Sequence, residues 1–148
     1  MDEPSKKSRM KWWIALFLLV GFVLPLGARI QSLTQWRGPA NPGRIRVAIR
    51  VTFGGWEALQ AAEQAVLPVM RGALNSPYAV GDRASAYMAE LGSGYRNIDL
   101  EPGRAVDPVH LARDCSAAVD AALRSKGFRC GFALCVVDDQ GRTYWPGP

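Results

Sequence analysis

From Trp12 to Ala28 the chain carries no charge: Trp-Trp-Ile-Ala-Leu-Phe-Leu-Leu-Val-Gly-Phe-Val-Leu-Pro-Leu-Gly-Ala. A run like this has no polar face, so it cannot lie as an ordinary surface helix with one wet side. As a helix it would be roughly 25 Å long, slightly short of a ~30 Å hydrocarbon core. Ile30 and Leu33 extend it if Arg29 snorkels to the headgroups. Trp12 and Trp13 stand where an interfacial aromatic belt would stand. Pro25 and Gly27-Ala28 resemble a signal-peptide cleavage region, but Leu26 is not small and the apolar run is long for such a peptide. The expectation is a retained transmembrane signal anchor over residues 12–30, with Trp12, Trp13 and Arg29 as its membrane contacts.

Lys6, Lys7, Arg9 and Lys11 precede the run, and only Arg29 and Arg37 follow it closely. The positive-inside rule then keeps residues 1–11 in the cytoplasm and turns the rest outward. The expected location is a single pass through an inner or plasma membrane, with a periplasmic or extracellular domain. Residues 31–43, with Gly38-Pro39-Ala40-Asn41-Pro42-Gly43, read as a linker. Residues 44–148 are long enough for one domain that needs neither a metal nor a disulfide framework to fold. Hydrophobic residues at 49% and charged residues at 21% exclude general disorder. A net charge of +5 is too modest to point to nucleic acid.

Arg44 to Phe53 alternates strictly, with Ile45, Val47, Ile49, Val51 and Phe53 on one side and Arg44, Arg46, Ala48, Arg50 and Thr52 on the other. That pattern predicts a half-buried strand with one wet face. Gly54-Gly55 ends it, and helical spacing from Trp56 to Leu74 follows, with Pro68 expected to kink or divide the helix. Asp82–Leu91 reads as a short helix and Tyr95–Leu100 as a short strand. Asp107-Pro108 reads as an N-cap and first turn, opening a helix that stops at Gly127. Phe128–Val137 is apolar throughout, as a strand covered on both faces would be. Asp138-Asp139-Gln140-Gly141 makes a hairpin turn into Arg142–Trp145. The predicted fold class is α+β: a single N-terminal transmembrane helix, then a small, mainly antiparallel sheet with two longer helices packed on one face.

The chemistry-bearing residues are few. Cys115, Cys130 and Cys135 leave at least one free thiol outside the cytoplasm. Cys115 with Cys135 is the better-placed bridge, and three buried thiols acting as small apolar side chains is the other reading. His110, the only histidine, lies five residues before Cys115, about 140° away around a helix, which is unsuited to a nucleophile and its base. If the helix started at Asp114-Cys115, that start with Leu123, Gly127-Phe128 and the apolar strand would resemble the core of transglutaminase-like cysteine enzymes. That resemblance implies Cys115 as nucleophile, but no histidine follows Cys115 to serve as the family's base. One histidine and no Cys-x2-Cys spacing argue for no metal, and no cofactor is expected. Tyr144 and Trp145 at the end of an edge hairpin are the candidate partner-binding aromatics, unless Trp145 only closes the core.

These features point to a membrane-anchored, non-enzymatic accessory or assembly subunit of a membrane or envelope complex. Its expected partners are membrane lipid and protein subunits, not nucleic acid. The alternative is an exported cysteine-dependent hydrolase or transferase using Cys115, with His110.

Overall fold

The computed structural model describes residues 6–23, 37–76 and 83–147. The chain forms two compact units, Met1–Ser32 and Leu33–Pro148.

In the first unit, helix α1 spans Lys6–Leu18, and a short π-helical turn covers Leu19–Val23. The expected transmembrane helix is not there: among the described residues, no helix is long and apolar enough to cross a membrane. The reason is where the helix lies. It starts at Lys6, so Lys6, Lys7, Arg9 and Lys11 occupy its first turns. Within the described residues its uncharged part runs from Trp12 through Val23, roughly 18 Å, under the ~30 Å needed. The signal-anchor reading, the single-pass placement and the assignment to an inner membrane with an outward domain are corrected on this finding. Trp12 and Trp13 are exposed on α1. Arg29 lies outside the described residues.

The second unit is α+β. Its strands are β1 (Ile45–Thr52), β2 (Arg83–Met88), β3 (Ser93–Leu100), β4 (Gly131–Val137) and β5 (Thr143–Tyr144). Its helices are α2 (Gly55–Leu74) and α3 (Pro108–Ser125). The strands make one sheet in the order β2-β3-β1-β4-β5, with every neighbouring pair antiparallel. This β-α-β-β-α-β order, with its split β-α-β unit, is the ferredoxin-like topology extended by a short fifth strand.

Alternation along each strand explains the core. Val47, Ile49 and Val51 share a face with Ile98 and Leu100 of β3 and with Leu134 and Val136 of β4. Against that face pack Leu59, Ala62, Val66 and Met70 of α2 and Leu111, Cys115, Val119 and Leu123 of α3. Asp107 caps α3, its Oδ1 accepting from the Val109 N–H at 3.0 Å, with Pro108 as the first helical residue. Asn75, at φ 49°, closes α2, and the Arg104 guanidinium donates to the carbonyls of Ala73 and Gly72 at 2.8 and 2.7 Å. These satisfy carbonyls that a helix end leaves open.

Three local expectations need correction. Of the segment expected as a short helix, Asp82–Leu91, Asp82 lies outside the described residues and the rest is strand β2 followed by a 3-10 turn, Ala89–Leu91, because pairing along β3 outweighs local helix preference. Of the kink or division expected at Pro68, the division does not occur: α2 is one helix through it. The face of β1 expected to be wet is only partly so: Ala48 is buried, Arg44, Arg46 and Thr52 are half-buried, and Arg50 is exposed. Ala48 joins Tyr95, Cys135 and Val137 in a second apolar cluster there. Arg46 is neutralised on that face by Asp99, which is fully buried: Nε donates to Oδ1 at 2.6 Å and Nη2 to Oδ2 at 3.0 Å. The stretch read as a linker is partly tied to the same face. The Arg46 Nη1 donates to the Gly38 carbonyl at 3.1 Å, the Asn41 N–H to Asp99 Oδ2 at 3.1 Å, and the Ala40 N–H to the Asp138 carbonyl at 3.1 Å.

Candidate functional site

The residues suited to catalysis do not converge. Cys115 points from α3 into the main core and is fully buried. Burial, with the Asp114 charge beside it, pushes its thiol up to about 12, so it is not a thiolate at neutral pH. His110 is turned elsewhere: its Nε2 lies 3.3 Å from Asp114 Oδ2, one turn along the exposed side of α3. The pair does not form a nucleophile and base.

The three thiols are free. Cys135 sits in the second cluster, on the other face of the sheet from Cys115, so the bridge considered for these two would have to pass through the sheet. Burial raises the Cys135 thiol to about 11, with Arg37 pulling it partly back. Cys130 packs where β4 approaches the β1–α2 corner: a Cβ built on Gly54 would lie 2.7 Å from its Sγ. No cluster of three or more His, Cys, Asp or Glu side chains suited to a metal occurs among the described residues.

The C-terminal hairpin is only partly a surface. Tyr144 is half-buried against the main core, and its hydroxyl donates to Asp138 Oδ2 at 3.2 Å. Desolvation pushes the Asp138 carboxyl up, but hydrogen bonds from Arg142 and Tyr144 outweigh it and hold the group below its usual value. Asp138 therefore organises the turn, accepting from the Arg142 N–H at 2.8 Å and Nε at 2.7 Å. Trp145 is 44% exposed, with the Arg37 guanidinium 5.6 Å from its ring centroid. Of the two hairpin aromatics, only Trp145 offers much surface.

A second place was not singled out from the sequence. At the end of β1 the alternation predicts Phe53 inside, following Val51. Instead Phe53 adopts φ 59°, in the left-handed region, which breaks the alternation, and its side chain is 73% exposed. Gly54 and Gly55 turn the chain directly into α2, with Gly55 at φ 79°. The β2–β3 turn is stitched to this corner. The Gly55 N–H donates to the Gly92 carbonyl at 2.8 Å, and the Phe53 N–H donates to Ser93 Oγ at 3.0 Å. Ser93 Oγ in turn donates to the Leu91 carbonyl at 3.0 Å. Leu91 is 49% exposed and Trp56, in the first turn of α2, 40%.

Trp56 is held from below. Its ring meets Tyr87 edge-to-face at 5.5 Å, and the Arg96 guanidinium lies 5.2 Å from its centroid. Arg96 is itself buried, with its Nε 3.2 Å from Glu63 Oε2. A buried ion pair beneath a half-exposed tryptophan fixes the ring without an apolar lid. The corner thus presents three large apolar side chains on a hydrogen-bonded frame. Cys130 packs beside it, and Glu57 follows Trp56 in the first turn of α2.

No family model, curated protein or solved structure matches the chain.

The sequence held one sign of this corner, the Phe53-Gly54-Gly55 step between a strand and a helix. A double glycine there reads as a tight turn. It does not reveal that the residue before it leaves the core.

Proposed function

We propose that this chain is a non-enzymatic accessory or assembly subunit that binds a protein partner through its α+β unit. The observation that supports this is the corner of Phe53, Trp56 and Leu91, exposed together on elements hydrogen-bonded to one another. Large apolar side chains, Trp above all, anchor protein interfaces, and a rigid frame lowers the entropy that binding must overcome. Phe53 strengthens the reading. Holding a bulky L-residue in the left-handed region costs roughly 1–2 kcal/mol, and a fold gains nothing internal from meeting that cost to keep an aromatic ring outside. Trp145, with Arg37 stacked on it, is a lesser contact.

The test is the double variant Phe53→Ser/Leu91→Ser, expressed in full length from its own locus with an affinity tag. It should melt within about 3 °C of the parent, since neither side chain is part of the core. It should also lose the proteins that co-purify with the parent. A variant that keeps the same co-purifying proteins would remove the corner as a contact surface. One that melts far lower would make these residues structural.

A further inference from the structure

We propose that α1 seats this chain on an anionic lipid surface, entering the near leaflet without crossing to the far one. Helix α1 and the π-helical turn behind it carry large apolar side chains in the open. Trp12, Trp13, Ile14, Phe17, Leu18 and Val20 are each at least half exposed. Successive helical residues step by about 100°, so Trp12, Trp13 and Ile14 already point three ways around the axis. A helix that is apolar all round needs cover all round. A protein groove or the seam of a helix pair covers one stripe of such a helix. Acyl chains close around it on every side.

The order of residues along the axis identifies the cover. Lys6, Lys7, Arg9 and Lys11 come first, and Arg9 and Lys11 are exposed. Trp12 and Trp13 follow, and from there to Val23 the stretch is uncharged. Charge, then indole, then hydrocarbon is the order met on passing from lipid phosphates through the interface to the acyl chains. α1 contains no Asp or Glu to oppose an anionic headgroup. Length sets the depth. The roughly 18 Å of uncharged helix that falls short of a ~30 Å core matches one leaflet of about 15 Å. Such a seat is peripheral: the basic end stays among the phosphates and nothing passes to the other side.

This inference does not depend on the corner's being a partner site. The test uses the purified full chain, floated with sealed vesicles of phosphatidylcholine that carry about one-third phosphatidylglycerol, and with vesicles of phosphatidylcholine alone. The chain should float with the first and bind the second roughly tenfold or more weakly, and added salt should narrow the gap. Arg9→Gln/Lys11→Gln should narrow it too. Trp12→Ser/Trp13→Ser/Phe17→Ser should abolish flotation with the melting temperature kept, since these side chains are exposed. Trypsin outside the vesicles should still cut between Lys6 and Lys11, because that end has not crossed. Equal flotation with both vesicles, or with neither, would overturn the proposal, as would a triple variant that floats like the parent. Protection of the basic end from trypsin would overturn the one-leaflet depth. A chain that self-associates through α1 and ignores vesicles would show a second copy as the cover instead. Phe53→Ser/Leu91→Ser should float like the parent, so a failure of the corner reading is separable from a failure here.

Discussion

Phe53 is a non-glycine residue at φ 59° with its ring mostly in solvent. Glycine occupies that region without a Cβ penalty. Phe53→Gly should therefore raise stability by about 1 kcal/mol, and the melting temperature by a few degrees, while removing the partner contact. A drop in melting temperature would mean the ring does structural work that its exposure hides. Cys115 carries a second residue-scale expectation. Its thiol is raised from an ordinary 9.0 to about 12, and that of Cys135 to about 11. Between pH 9 and 11 an unfolded chain gives up thiol protons that the folded chain keeps. The stability these thiols contribute is thus fully present below pH 9 and is lost as pH rises through the folded values. The loss is at most about 1.4 kcal/mol per pH unit per thiol. Thermal melts from pH 7 to 11 should show the decline, and Cys115→Ala should make it shallower; equal slopes would argue against the burial of that thiol. At pH 8, alkylation should reach Cys115 only after denaturation.

At the scale of elements, the corner and the ion pairs set the tolerances. A Cβ on Gly54 would come within 2.7 to 2.8 Å of Cys130 Sγ, Val51 Cγ1 and Ala58 Cβ. Gly54→Ala should cost about 1–3 kcal/mol by overpacking where β1, α2 and β4 meet. Asp99 holds Arg46 through two hydrogen bonds and also accepts from the Asn41 N–H. Asp99→Ala strands a mostly buried guanidinium and should cost about 3–5 kcal/mol, much of it recovered in Arg46→Met/Asp99→Leu. Urea titration of the three proteins would check this, and a double variant no better than the single would contradict it. The same elements show what the sequence made legible. Strict alternation located β1 to within a residue, and Asp107-Pro108 with Gly127 located α3, because each carries its own local rule. β4 was readable from its apolar run, but the strand opens at Gly131 rather than Phe128 and is buried only from Leu134 on. β2 was not readable: a six-residue strand owes its state to β3, which lies across a turn. The partial burial of β1's second face was equally hidden, since what removes Arg46 from water is Asp99, 53 positions away.

At the scale of the molecule, the apolar N-terminal run dominated the reading and misled it. A hydropathy pattern records only which residues are apolar, and the span also depends on where the helix starts and stops. Here α1 starts among four basic residues, and its α-helical part ends at Leu18. The main core, by contrast, lies wholly within Leu33–Pro148. Residues 33–148 expressed alone should unfold in a single cooperative transition. The absence of a transition would mean that the first unit is needed to complete the fold.

Photo-crosslinking decides whether the corner is where a partner sits. A photoreactive phenylalanine would replace Phe53 or Leu91 in the full chain in its own cells, with exposed Ala121 on α3 as control. The expected result is one discrete adduct of the same mass from both corner positions, none from position 121, and loss of the adduct when Trp56→Ser is added. No adduct from the corner, or the same products from all three positions, would contradict a partner-binding role for this chain.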